Sequence, residues 1–277
     1  DLEKKGYKYI SNTENLSGGT FISVGSIFNM NSMEIDEDGN PKFNKKLGFP
    51  TIMKKENFSN LEFNLQKLNY DIKWIGSHFA NCYGYNREYC FIDEKKSFIF
   101  NYENLAFLKK TPFEPIVFKL MNLFNINLDE KIIYKSNNAI EKLYRNMNNL
   151  GKPKKSTFIF IHHLISHWPY LVDTRCDFKR HFGRNNLEGI KAAYQCNKKL
   201  VTKITNYIDK IDNDAIVIIQ SDHNWELSYF DKKYGQRNRI FNLIKVNKKC
   251  ENYLSSKINN VNAIRLAVFC ANNTKSF

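Results

Sequence analysis

Two side chains that can bind a metal ion, Asp222 and His223, come shortly after an apolar run at residues 216–219. Such a run, rich in β-branched residues, predicts a fully buried strand that carries the two polar residues at its carboxyl end. In open α/β sheets, ligand sites lie beyond the carboxyl ends of the strands. One carboxylate oxygen and one imidazole nitrogen suit zinc or manganese. The alternative is an ordinary strand-end turn with Asp222 as a capping residue.

A second candidate is the hydroxyl of Thr20, which follows Gly18 and Gly19 at the predicted start of a helix. Glycines let the backbone approach a ligand closely, and the N-terminus of a helix favours anions. A cation that lowered the pKa of this hydroxyl would make it a nucleophile. The alternative is that Thr20 or Ser17 only caps the helix, which is the commonest function of such residues.

A third candidate segment follows residues 157–161, which predict another buried strand. It contains two histidines, His163 and His167, before a rigid Trp-Pro-Tyr turn. Because this segment also follows a strand, its side chains can lie at the same sheet edge as Asp222. The alternative is a core histidine beside a structural Trp-Pro corner.

The elements that would position these segments alternate between strands and helices. The spacing of apolar residues predicts helices at about 20–28, 59–68, 187–211 and 261–270, and strands at 7–10, 70–75, 157–161, 215–219 and 240–246. Asn57 or Ser59 is the expected cap of the second helix. This alternation favours a mostly parallel sheet covered by helices on both faces. No repeat or linker divides the chain, so we expect one domain over residues 1–277.

The composition is that of a globular protein with a strongly basic charge. Hydrophobic residues make up 42%, charged residues 25%, and the net charge is +14. The charge fits an anionic membrane surface or a phosphorylated substrate, although a lysine-rich proteome would also explain it. We do not expect nucleic-acid binding, because the lysines form no basic block and no recognition motif accompanies them.

The six cysteines fall into three pairs with short separations: Cys82 and Cys90, Cys176 and Cys196, and Cys250 and Cys270. None has the CxxC spacing that is typical of zinc sites. Disulfide bonds between them would indicate an oxidising compartment, the periplasm or the cell exterior. The alternative is six buried thiols in a cytosolic protein.

Taken together, the three candidate segments resemble the alkaline phosphatase/sulfatase superfamily, in particular sulfatase-like phosphotransferases such as lipoteichoic acid synthases and phosphoethanolamine transferases. The family's Gly-x-Thr, His-x-Pro-Phe/Tyr and Ser-Asp-His-Gly motifs have counterparts here in the same order: Gly18-Gly19-Thr20, His167-Trp168-Pro169-Tyr170 and Ser221-Asp222-His223-Asn224. Residues 23–30 and 262–265 also resemble segments of bacterial sulfatase-like proteins. The resemblance therefore covers nearly the whole chain.

This resemblance implies a three-layer αβα sandwich with a mostly parallel central sheet, as in alkaline phosphatase. It implies a metal-dependent phosphoester hydrolase or phosphotransferase with a threonine nucleophile and one divalent ion, zinc, manganese or magnesium. The implied site residues are the metal ligands Asp222, His223 and Thr20, the catalytic residues Thr20 and His167, and the substrate-binding residues Gly19 and His163.

The chain departs from the family pattern in three places. Family members begin with a strand ending in Asp or Glu, which supplies a further metal ligand, so we expect an N-terminally truncated domain that lacks its first strand. Asn224 replaces the glycine after Asp-His, but Asn tolerates left-handed backbone. The Cys/Ser-x-Pro-x-Arg motif of true sulfatases is missing around Thr20, so we expect phosphoryl transfer rather than sulfate-ester hydrolysis.

The resemblance also implies partners and a location. The expected substrate is an anionic phosphorylated lipid or glycan of the cell envelope. The expected location is the periplasm or the outer face of the inner membrane of a bacterium, with membrane contact through an upstream segment. The alternative, motivated by the missing first ligand, is a catalytically degenerate domain that serves as a binding or scaffold module in the envelope.

Overall fold

The structure is a computed structural model that describes residues 2–15, 20–31, 59–75, 155–168, 170–181, 186–223 and 239–273, with scattered positions between 111 and 123. Its α-helices in these ranges are α1 (Thr20–Asn29), α2 (Asn60–Lys67), α3 (Leu187–Ile211) and α4 (Asn260–Asn273). Its strands there are β1 (Lys8–Tyr9), β2 (Asp71–Ile75), β3 (Thr157–Ile161), β4 (Val217–Gln220) and β5 (Asn242–Lys245). Short 3₁₀ helices span Glu3–Lys5 and Lys248–Tyr253.

Local side-chain caps set the starts of α2 and α3. Ser59 accepts a hydrogen bond from the backbone of Glu62, and the Glu62 carboxylate accepts one from the backbone of Ser59, which completes a capping box. Asn186 caps α3 by accepting from the backbone N–H of Gly189 at 2.8 Å. Of the two caps expected for α2, Ser59 is therefore the one used.

The described strands form two small sheets rather than one mostly parallel sheet. β2 and β3 pair in parallel, from Asp71 opposite Thr157 to Ile75 opposite Ile161. β5 lies between β1 and β4 and is antiparallel to both. Within this part of the chain, the parallel arrangement is therefore limited to β2 and β3.

Helices pack on both faces of β3. Phe158 and Phe160 contact a core built from α1, α2 and α4, which includes Val24 and Phe28, and Ile218 of β4 packs against the same core. Ile159 and Ile161 point the other way and contact the apolar face of α3 around Ile204, Ile208 and Ile211. The alternation of side chains along β3 thus places helices above and below it.

A cleft of about 1500 Å³ is lined by all residues of β3 and of β4. β3 pairs only with β2, and β4 only with β5, among the described strands. Both strands are consequently only half-buried, which corrects the expectation of fully buried strands at 157–161 and 216–219. The apolar composition of β3 is explained by the helices above and below it, and that of β4 by the core on which Ile218 packs.

Two of the three expected cysteine pairs are disulfide bonds. Cys176 bonds to Cys196 and Cys250 bonds to Cys270, with Cα atoms 5.1 and 5.9 Å apart. Such bonds persist in oxidising compartments, which favours a location outside the cytoplasm. The pair Cys82 and Cys90 lies outside the described residues. None of the helices described is both long and apolar enough to cross a membrane.

Candidate active site

The first residue of α1 and the residues after β4 meet at one point. The Thr20 hydroxyl donates a hydrogen bond to Oδ2 of Asp222 at 2.6 Å and lies 3.3 Å from Nε2 of His223. The same Oδ2 atom lies 3.6 Å from Nε2 of His223. Residues about 200 positions apart in the sequence are thus brought together by the packing of α1 and β4 on a shared core.

These three atoms form a donor set that fits a divalent metal ion. Ligand bonds of about 2.0–2.2 Å place neighbouring ligands roughly 3 Å apart, close to the spacing of the Thr20, Asp222 and His223 atoms. Carboxylate, hydroxyl and imidazole donors suit zinc or manganese. In the described ranges, no group of three or more His, Cys, Asp and Glu side chains is arranged to hold a metal ion.

The carboxyl group of Asp222 is held in its charged form by its neighbours. Burial alone would raise its pKa, but hydrogen bonding and charge from His162, the charge of His223 and the Thr20 hydrogen bond together hold it well below its usual range. Asp222 is therefore a carboxylate at any physiological pH. This is the state that accepts the Thr20 proton in a hydrogen bond and that binds a cation.

His162 is a site residue that sequence reasoning missed. Its Nε2 atom lies 3.7 Å from Oδ2 of Asp222, and its ring lies parallel to that of Phe160, with centroids 6.5 Å apart. The signal was the two-residue alternation of β3: Phe158 and Phe160 face the core of α1, so the next residue on that side is His162. His163 falls on the opposite side.

His163 and His167, both predicted site residues, line the same cleft as Thr20 and Asp222. Burial lowers the pKa of His163 to about 4, assisted by the charge of His162. Its Nδ1 atom is buried and has no hydrogen-bond partner in the part of the chain that is described. His163 is therefore a neutral imidazole that presents an unsatisfied nitrogen inside the protein.

His167 is also held in the neutral form. Burial lowers its pKa, against the opposing effects of a hydrogen bond to the Trp168 backbone and the charge of Asp222. Because a carbonyl can only accept, Nδ1 of His167 carries the proton that it donates to the Trp168 carbonyl. In the neutral ring, Nε2 is then the nitrogen without a proton, and it can accept one.

Two further groups of residues complete the comparison with the sequence: predicted positions that lie outside the described residues, and site residues that were not predicted. Gly18, Gly19, Pro169 and Asn224 belong to the first group. Three buried polar residues that surround the backbone of Asp222 belong to the second: Asn15, Ser23 and Asn260. Only Ser23 had a sequence signal, because it lies one helical turn after Thr20.

Comparison with known proteins gives one family match. The sequence model of one protein family, described as Sulfatase, matches residues 20–251, a span that begins at Thr20 and includes Asp222 and His223. Neither the curated proteins nor the solved structures gave a match. Members of this family are hydrolases or transferases of an α/β, alkaline phosphatase-like fold, and they generally use a divalent metal ion. The match spans most of the chain, and the chain belongs to the sulfatase family.

Proposed function

We propose that the protein is a metal-dependent phosphoester hydrolase or phosphotransferase that acts through Thr20. The observation that supports this best is the position of the Thr20 hydroxyl, 2.6 Å from Oδ2 of Asp222 and 3.3 Å from Nε2 of His223. A hydroxyl that only capped α1 would bond to the backbone of its own helix. Instead it bonds to a buried carboxylate contributed by a strand end about 200 residues away.

The proposed reaction has two displacements at phosphorus. Thr20 Oγ1 loses its proton and attacks, a bond from Oγ1 to phosphorus forms, and the bond from phosphorus to the leaving oxygen breaks; the leaving oxygen takes up a proton, and a phospho-threonine remains. Water, or the hydroxyl of an acceptor, then loses its proton and attacks the same phosphorus, the bond from phosphorus to Oγ1 breaks, and Oγ1 takes up a proton to restore the Thr20 hydroxyl. A divalent ion held by Asp222, His223 and Thr20 would lower the pKa of the hydroxyl and offset charge on the phosphoryl group.

The histidines of the cleft have distinct parts in this proposal. His167 contacts the phosphate or the leaving group, and its unprotonated Nε2 can accept the proton of the attacking water or acceptor hydroxyl. His163 contributes a neutral imidazole to the same substrate pocket. Gly19, the residue before Thr20 in the sequence, is assigned to binding of the anionic group, because glycine lets a ligand approach the main chain closely.

The proposed substrate is an anionic phosphorylated lipid or glycan of the cell envelope, met at a membrane surface. Two observations support an anionic substrate in an extracytoplasmic setting: the net charge of +14 and the two disulfide bonds. The periplasm, or the outer face of a bacterial inner membrane, is the corresponding location. Threonine cannot be matured to formylglycine, so phosphoryl transfer is proposed over sulfate-ester hydrolysis.

The test compares Thr20→Ala with Thr20→Ser in protein expressed from the full gene, with manganese or zinc added. We expect wild type to cleave bis(p-nitrophenyl) phosphate, and Thr20→Ala to lower kcat by roughly 10³-fold or more, as for other lost nucleophiles. Thr20→Ser keeps a hydroxyl and should retain measurable activity. Wild-type kcat in Thr20→Ala, or hydrolysis of p-nitrophenyl sulfate alone, would contradict the proposal.

A second candidate function is a non-catalytic binding or scaffold domain in the envelope. The observation that favours it is that, over the described ranges, no further His, Cys, Asp or Glu side chain joins Asp222 and His223 to complete a metal site. Elemental analysis of the purified protein separates the two functions. Stoichiometric zinc or manganese that is lost in Asp222→Asn supports the enzyme, and metal-free wild type supports the scaffold.

A further inference from the structure

Three buried side chains from distant parts of the chain surround the main-chain carbonyl of Asp222. Asn15 Nδ2 and Ser23 Oγ each donate to this oxygen at 2.5 Å. Asn260 Nδ2 in turn donates to Asn15 Oδ1 at 3.1 Å and to Ser23 Oγ at 3.0 Å. The four residues therefore form a closed ring of hydrogen bonds, which we call the Asp222 ring.

The direction of each hydrogen bond in the Asp222 ring is fixed by chemistry. The Asp222 carbonyl can only accept, so Asn15 must present its NH₂ group and Ser23 its proton. Asn15 Oδ1 and Ser23 Oγ are then left to accept, and the two hydrogens of the Asn260 amide supply both bonds. The remaining oxygen of Asn260 accepts from the backbone of Val261 at 3.0 Å. Neither aspartate nor an apolar residue at position 260 could supply these two donors.

The Asp222 ring is buried and its bonds are all made. Asn15, Ser23 and Asn260 are 3%, 0% and 1% exposed, respectively. Buried polar groups are unfavourable unless they are hydrogen-bonded, and a fully satisfied network specifies one arrangement of the segments that it joins. Here it joins the chain after β1, helix α1, the end of β4 and the first residue of α4.

Helix α1 contacts Asp222 at two points because of its periodicity. Thr20 and Ser23 are three positions apart, so they lie on the same face of α1. Thr20 bonds to the carboxylate of Asp222, and Ser23 bonds to its carbonyl. A shift of α1 relative to β4 would therefore stretch both bonds together.

We infer that Asn260 is a positioning residue that fixes the Thr20 hydroxyl against the Asp222 carboxylate through Ser23 and Asn15. It contacts neither the carboxylate nor the Thr20 hydroxyl, and it acts by setting where the backbone of Asp222 lies relative to α1. An effect of Asn260 on catalysis rests on the proposed function. Its effect on the position of Asp222 relative to α1 does not, and it can be measured in the metal-free protein. The placement of Asn260 at the first residue of α4 gives that helix a part in the site.

The test compares Asn260→Ala with a matched control, Asn242→Ala. Asn242 is the same residue type, is 0% exposed, and donates to Thr13 Oγ1 at 3.1 Å across more than 200 residues. It does not contact Asp222 in the described structure. Thermal unfolding measures how much stability each variant loses. If the two losses are similar, a difference between the variants at Thr20 and Asp222 cannot be attributed to destabilisation alone. Asn260→Ser, which keeps one donor, replaces Asn260→Ala if that variant does not fold.

The first measurement is the ring ¹⁵N and ¹³C NMR signals of His223 and His162 in metal-free protein. We expect Asn260→Ala to shift them, because the Asp222 side chain that both rings face will have moved. Asn242→Ala should leave them in place. Unchanged histidine signals in a folded Asn260 variant, or equal shifts in both variants, would overturn the inference.

The second measurement is phosphodiesterase kinetics at saturating metal. For Asn260→Ala we expect kcat to fall roughly 10- to 100-fold, the effect of a displacement of about 1 Å or less, with KM little changed. Asn242→Ala should keep nearly wild-type kcat at temperatures where it is folded. If wild type has no activity, the proposed function fails, and the histidine signals still decide the role of Asn260.

Discussion

At the scale of single residues, the site combines one carboxylate, Asp222, with two imidazoles that burial holds uncharged, His163 and His167. The pKa of Asp222 is held well below its usual range, whereas burial lowers the pKa values of His163 and His167. A carboxylate that binds a metal ion and an imidazole that accepts a proton must both be deprotonated, and Asp222 and His167 are in that state. Burial and the neighbouring groups in the cleft establish these protonation states.

The lowered pKa of His163 predicts how stability depends on pH. Its pKa is about 4 in the folded protein, below the usual 6.5 of histidine, so the unfolded chain binds more protons between these values. The contribution of His163 to the free energy of unfolding is fully present above pH 6.5. It is lost as the pH falls toward 4, by an amount on the order of 3 kcal/mol. Urea unfolding from pH 7.5 to 4.5 in EDTA measures this.

The control for this prediction is His163→Gln, which cannot titrate in that range. Its unfolding free energy should fall less steeply with decreasing pH than that of wild type, although His167 adds a slope of the same sign in both. Equal slopes in the two proteins would show that His163 is not held neutral by burial.

At the scale of elements, the start of α3 is in close contact with Tyr170 and His181. A Cβ atom placed on Gly189 would lie 2.8 Å from Cβ of His181 and 2.9 Å from the Tyr170 ring. Tyr170 is 2% exposed and belongs to the segment that begins at His167. The absent side chain at Gly189 is therefore what allows the helix to approach this closely.

Gly189→Ala should consequently destabilise the protein even though alanine favours helices. The expected loss is about 1–3 kcal/mol from overpacking, against a gain of about 1 kcal/mol in helix propensity. Gln195→Ala, at an exposed position of the same helix, is the control and should change little. Chemical denaturation measures both, and greater stability in Gly189→Ala would refute the close contact.

The sequence predicted where the described helices and strands lie, with β3 at its predicted range of 157–161, but two strands are shorter than expected. The apolar periodicity of 187–211 coincides with α3, and Thr20 is the first residue of α1 as expected. β5 is shorter than the predicted 240–246 and β1 is shorter than 7–10, because a strand extends only as far as its partner pairs with it. Helix bonds are local, whereas strand ends depend on residues far away in the sequence.

At the scale of the whole molecule, the candidate site could be predicted where its residues stand at strand ends or helix starts. Thr20, Asp222 and His223 fulfil that condition, and their order along the chain added the family resemblance. Asn15 and Asn260 could not be predicted, because nothing near them in the sequence indicates that they meet at Asp222. Their contact follows from tertiary packing alone.

The two disulfide bonds make the stability of the molecule depend on its redox environment. Cys250 and Cys270 are separated by 20 residues. A disulfide bond that closes a loop of this size stabilises the folded protein by about 3 kcal/mol. Cys250→Ser combined with Cys270→Ser should therefore lower the free energy of unfolding by about that amount, measured by denaturation without reductant. Reaction of these cysteines with a thiol reagent in untreated wild type would contradict the pairing.

The cleft between β3 and β4 has a consequence for the behaviour of the protein in solution. Among the described strands, each has a partner on one side only, and the side chains of both apolar strands line the cleft. A strand edge that faces an open cleft is a template for pairing with another chain. Concentrated samples should therefore form soluble aggregates unless an extended segment fills the cleft. Light scattering over a concentration series would measure the formation of these aggregates. The cleft that holds Thr20 and Asp222 would then also determine the colloidal stability of the protein.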